Sequence, residues 1–272
     1  MQNCYLSCPN DIMLVADLPV NAGYMDILHM SSYTYFYYGL AICIVIGVPI
    51  TSALWMRRKL HAPWKYLAYG ILTFIISQVL RLPTLEIIRK VTGAQHESAT
   101  ILWLACLALS AGFFEEVARY IGFLFLFRGG RNPQNAVIYG LGHGGFETSL
   151  VALQMLSVLR MLSAYGRLDI SAVHLNAQTL SIIEFAKTGW LPMAGAFERI
   201  ATLPVHVALS LVVLQAFSRQ DRSWLVLAIG IHAGINFSAI FASRHLGLFW
   251  TEILLGLFAI GAILLVRKLI ND

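Results

Sequence analysis

Charge is scarce in this sequence. Only 12% of its 272 residues are Asp, Glu, Lys or Arg, where soluble domains carry roughly a quarter, and its mean hydropathy is +0.71. An ordinary water-soluble fold is excluded, because lipid has to be the solvent for most of the chain. Cysteine pairs are missing too: Cys4, Cys8, Cys43 and Cys106 form no CxxC and no zinc-finger spacing, which argues against a cysteine-ligated zinc module. Cys4 and Cys8 suit either a bridge on an oxidising face or free thiols in a tail, and Cys43 and Cys106 read as lipid-facing or core residues. The first thirty residues lack a basic n-region and a small-residue cleavage site. With Asp11, Asp17 and Asp26 they read as part of an extracytoplasmic segment over 1–34. There is no internal repeat and no low-complexity segment.

What remains is apolar. A bilayer core takes about 20 apolar residues per helix, and the runs long enough are Tyr35–Met56, Tyr66–Ile88, Thr100–Phe127, Ala136–Leu159, Ile200–Phe217, Trp224–Phe241 and Leu248–Val266. They predict an all-α membrane protein, a single polytopic domain of about seven transmembrane helices over 1–272. Arg57, Arg58, Lys59 and Lys65 follow the first span, Arg128 and Arg131 the third, Arg219 and Arg222 the fifth, and Arg267 and Lys268 the last. All lie on one side, which the positive-inside rule makes cytoplasmic, with the N-terminus outside. This scatter explains the net charge of +5 and leaves no basic patch for nucleic acid. The connection 160–199 is extracytoplasmic, mixed in charge, and carries a candidate interfacial helix over Ala172–Ala186. The aromatic group Tyr33, Tyr35, Phe36, Tyr37 and Tyr38 reads as an interfacial belt.

The polar residues are few and placed at depth. An ionisable side chain in mid-span costs a few kcal/mol, so each is a functional candidate. The third span carries Glu115, Glu116 and Arg119, the fourth His143 and Glu147, the fifth His206, and the sixth His232 and Asn236. Counted from the basic ends at about 1.5 Å per residue, Glu116, His143, His206 and His232 lie roughly 10 to 17 Å in. Antiparallel helices therefore bring them to one level. Glu115 with Arg119, His143 with Glu147 and His232 with Asn236 are i,i+4 pairs, each on one helical face. Gly140, Gly142, Gly144 and Gly145 permit close packing of the fourth helix or room for a substrate backbone. The plain structural reading is a buried salt bridge with histidines as interhelical hydrogen-bonding groups. A proton- or ion-coupled transporter would use the same groups as a relay, although the interrupted twin halves of many transporters are missing. A non-catalytic membrane scaffold or immunity protein is the third alternative.

Glu115-Glu116-x-x-Arg119-Tyr120, Gly140-x-Gly142-His143-Gly144-Gly145-x-Glu147 and His232-x-x-x-Asn236 resemble the YhfC family of predicted intramembrane proteases. That family is distantly related to the ABI/CAAX prenyl endopeptidases of glutamic type. The likeness runs from the second span, Phe74 to Pro83, through the sixth. It implies an intramembrane endopeptidase, in a bacterial cell membrane, acting on membrane-embedded or membrane-associated peptides or proteins without a cofactor. In this mechanism Glu115 or Glu116, with His143, would polarise water, while His232 and Asn236 would stabilise the oxyanion. The ABI/CAAX spacing has one more residue between the Glu pair and the Arg. Here Arg119 lies about 40° from Glu115 and about 60° from Glu116 around the helix, so it reaches either. Arg119, Glu147, His206 and Arg81 are supporting residues, with Arg81 either a helix-pairing group or a contact for a substrate carboxylate. His143, His206, His232 and Glu147 form an alternative zinc set, since two histidines and a carboxylate suit a zinc ion with an open water position.

Overall fold

The computed structural model describes residues 32–92, 101–165, 186 and 188–271. Seven helices fill almost all of that: α1 (Ser32–Leu60), α2 (Lys65–Thr92), α3 (Ile101–Phe125), α4 (Pro133–Tyr165), α5 (Leu191–Ser218), α6 (Ser223–His245) and α7 (Leu248–Asn271). Every one is long and apolar enough to cross a bilayer. In hydrocarbon a helix satisfies its own backbone, so long apolar runs fold this way whatever their helix propensity. The protein is an integral, multi-pass membrane protein. Short turns separate the spans: Gly129, at φ 73, turns α3 into α4, and Pro63 follows the end of α1. Asp221 accepts from the Ser223 backbone N–H and hydroxyl at 2.9 and 2.7 Å, which starts α6 and holds the Asp221 carboxyl below its ordinary range.

α5 is the axis of the bundle. Within its apolar window 83% of residues are buried, against 17–39% for the other helices, and it touches α1, α3, α4, α6 and α7. Glycine lets α4 come close on two sides. A Cβ at Gly144 would sit 2.8 Å from His206 Cβ, and one at Gly142 would collide with the Leu67 carbonyl of α2. Of the two roles read for these glycines, close packing is the one occupied at these positions.

Two boundaries differ from the sequence reading. α4 runs on to Tyr165 and α5 begins at Leu191 rather than Ile200, so the 160–199 connection is shorter. Glu198 and Arg199, which resemble loop residues in sequence, are buried inside α5. Arg199 is tolerated there because it faces Glu147 of α4 at 3.3 Å and Glu198 at 3.6 Å. The aromatic belt also needs correction. Tyr33 and Phe36 are exposed, but Tyr38 is buried and donates to the Ala186 carbonyl at 3.0 Å. The expected interfacial helix over Ala172–Ala186, apart from Ala186 itself, and the segment with Cys4 and Cys8 lie outside the described residues.

Candidate functional site

The polar side chains singled out in four spans meet between α3, α4, α5 and α6. Glu115, Glu116, Arg119, His143, His206, His232 and Asn236 are all buried, and they sit together because each faces inward from an otherwise apolar helix. Glu115 Oε2 contacts His143 Nε2 at 3.1 Å and has His232 Nε2 at 3.8 Å. Its other oxygen accepts from Gln78 Nε2 at 3.1 Å. A carboxylate only accepts, so His143 donates through Nε2 and turns its Nδ1 lone pair elsewhere. That Nδ1 is buried with no hydrogen-bond partner among the described residues. Phe74 and the His143 ring pack in a T-shaped pair with centroids 5.2 Å apart.

The second carboxylate is held differently. Glu116 pairs with Arg119 Nε at 3.2 Å, one turn along its own helix, and takes His232 Nδ1 at 2.7 Å. Arg119 is wholly buried and fans out to α5, donating through Nη1 to the His206 carbonyl at 2.6 Å and to Ser210 Oγ at 2.8 Å. Its Nη2 faces His206 Nδ1 at 3.3 Å. Helical angle alone allowed Arg119 to take either Glu; the α5 partners draw it to Glu116. Buried charge of both signs is thereby matched, as hydrocarbon demands.

Glu147 lies outside this centre. It faces His206 Nε2 at 2.8 Å and Arg199 at 3.3 Å. Arg81 serves helix pairing: it donates to the Leu107 carbonyl at 3.2 Å and Ser110 Oγ at 3.3 Å on α3, and to Gln78 Oε1 at 3.4 Å. Asn236 is buried one turn beyond His232. Two of these partners, Gln78 and Ser210, carry no role in the sequence reading, and Arg199 falls in its 160–199 connection. A neutral amide and a hydroxyl give no charge signal in an apolar run, although Gln78 at i−3 from Arg81 is the one hint.

Glu115, His143 and His206 each bring a donor atom to within 4.8 Å of the others. Two imidazoles and a carboxylate are what zinc takes when one position stays open for water, so the set fits in type and spacing. Of the four residues weighed for zinc from sequence, His143 and His206 converge, and Glu115 is their third partner. The protonation of His206 fits less well. Arg119 can only donate, so His206 Nδ1 accepts and a neutral ring carries its proton on Nε2, the atom nearest Glu147.

Comparison with known proteins gives one consistent answer. A family model described as YhfC intramembrane metalloprotease matches residues 44–255. The "Uncharacterized membrane protein YhfC" of Bacillus subtilis (strain 168) is 28% identical over 220 residues, covering 75% of this chain and 83% of the relative. No solved structure matches.

Proposed function

Because the chain belongs to the YhfC intramembrane metalloprotease family, we propose that it is an endopeptidase whose attacking water is activated by Glu115 and His143 within the bilayer. Its substrates are membrane-embedded or membrane-associated peptides or proteins. The observation that carries this reading is the buried Glu115–His143 contact at 3.1 Å, with His232 alongside. Glu115 takes a proton from water as the oxygen attacks the scissile carbonyl. His232 and Asn236, on one face of α6, donate to the oxyanion of the tetrahedral intermediate. His232 can do so from Nε2 while its Nδ1–H points to Glu116, which requires the doubly protonated ring between two carboxylates. The C–N bond then breaks, and the proton held by Glu115 passes to the leaving amine. Glu116 and Arg119 position His232 and His206; the clamp on Glu116 supports Glu115 as the carboxylate that meets water.

Asn236→Ala is expected to lower kcat about 100-fold with a smaller change in KM, as for loss of one oxyanion donor. Single-turnover cleavage of a bound peptide separates the two. Unchanged kcat would remove Asn236 from the site.

The convergence of Glu115, His143 and His206 favours a second reading, in line with the family's description. Zinc held by these three would supply a water ionised near neutral pH. Peptide cleavage in proteoliposomes, with and without a strong chelator and with elemental analysis, separates the two. Under the reading proposed, activity survives chelation and His206→Ala lowers the rate only in part. One zinc per chain, lost and restored together with activity, would establish the metal reading instead. Release of no new peptide termini from any membrane peptide would favour the transporter or scaffold alternatives.

The same proposal orients the chain with its basic turns in the cytoplasm. Cysteine labels at 131 and 222 should react only from the cytoplasmic side and one at 247 only from outside. Labels at 131 and 222 reacting from opposite faces would contradict it.

A further inference from the structure

A recess lies on the faces of α4 and α5 turned away from His143 and His206. It has a volume of about 910 Å³ and runs between α1 and α7 over a floor of α4 and α5. Leu141 and Pro204 line it, each two residues before a site histidine, His143 and His206. Two residues turn a helix by about 200°, so the recess backs onto the opposite faces of α4 and α5. A molecule seated there does not meet the reacting atoms, which argues against a substrate subsite.

Its polarity is graded along its length. The lining is apolar from Gly256 toward the end of α7, and the only charged residues in it are Lys59 and Arg267, in the closing turns of α1 and α7. Trp55 lies beside them, with Lys59 Nζ 5.0 Å from the centre of its ring, the pairing expected at headgroup depth. Among the described residues neither Lys59 nor Arg267 joins an ion pair. Gly256 to Arg267 spans about 16 Å at 1.5 Å per residue, close to one leaflet of a hydrocarbon core about 30 Å thick. An apolar slot one leaflet deep, ending in two cations at the headgroup level that pair with no carboxylate among the described residues, has the shape and charge of a phospholipid site.

We propose that this slot binds one anionic phospholipid of the leaflet at the basic face, with its acyl chains along α1, α5 and α7 and its phosphate between Lys59 and Arg267. Basic pockets between spans on the cytoplasmic side recognise anionic headgroups in this way. By filling the space behind Leu141 and Pro204, the lipid braces the two helices that carry His143 and His206.

The test is native mass spectrometry of the full chain in mild detergent, titrated with phosphatidylglycerol and with phosphatidylcholine of the same acyl chains. The wild type should hold one phosphatidylglycerol with at least about tenfold preference, given two cations near the headgroup. Lys59→Gln with Arg267→Gln should abolish the preference while the chain stays folded by circular dichroism. Ala259→Phe, which obstructs the apolar part, should weaken retention of both lipids and so reports on the slot if the charge variant fails to fold. Equal retention of the two lipids by the wild type, or a preference that survives in the charge variant, would mean ordinary annular lipid and overturn the proposal.

Discussion

Glu115→Gln should reduce kcat by roughly two to four orders of magnitude, the range for loss of a general base, and leave KM nearly unchanged. The substitution keeps the shape of the side chain and an oxygen for Gln78 but removes the group that accepts the proton from water. His143→Ala should fall to a similar level, because the two are in contact at 3.1 Å and act on one water. Their effects should therefore not add: the double variant should be no slower than the worse single one, as in other catalytic groups that act as a unit. Gln78→Ala should slow turnover less, since it loosens one oxygen of Glu115 and leaves the other. Full activity in Glu115→Gln would assign the proton transfer to another residue.

Arg119→Met should destabilise the folded protein by about 3–5 kcal/mol, the cost of leaving a buried charge without its partner. The guanidinium serves Glu116, the His206 carbonyl and Ser210; among the described residues no other Lys or Arg pairs with Glu116, whose second partner is the His232 ring. Adding Glu116→Gln to Arg119→Met should recover part of the loss, because the stranded charge is then gone. Unfolding of the single and double variants in mixed micelles measures this coupling. Two losses that simply add would mean that the 3.2 Å contact contributes nothing to folding.

The spans were legible because hydrocarbon imposes a length and an apolar content that few other environments require. Their polar centre was legible for the same reason turned around: Glu115, Glu116, His143, His206 and His232 are costly in mid-span, so they stand out, and depth counting places them together. Pairing was not legible. Arg119 could reach either carboxylate by helical angle, and the choice depends on Ser210 and a backbone carbonyl of α5 that no local pattern reveals. Glu198 and Arg199 resemble loop residues in sequence because the burial of Arg199 depends on Glu147, some fifty residues earlier in the chain, and Glu198 in turn pairs with Arg199. Tyr38 was misread as part of the belt because its acceptor, the Ala186 carbonyl, comes from a distant connection. In each case a contact between distant parts of the chain overrides a local signal.

In the proposed mechanism this membrane-embedded cluster hydrolyses peptide bonds through Glu115. The most direct measurement is incubation of purified protein in proteoliposomes with membrane-spanning peptides in ¹⁸O-labelled water, followed by mass spectrometry of the products. New carboxyl termini carrying solvent oxygen are expected with the wild type, and none above background with Glu115→Gln. Cleavage by Glu115→Gln at the wild-type rate would overturn this role of Glu115.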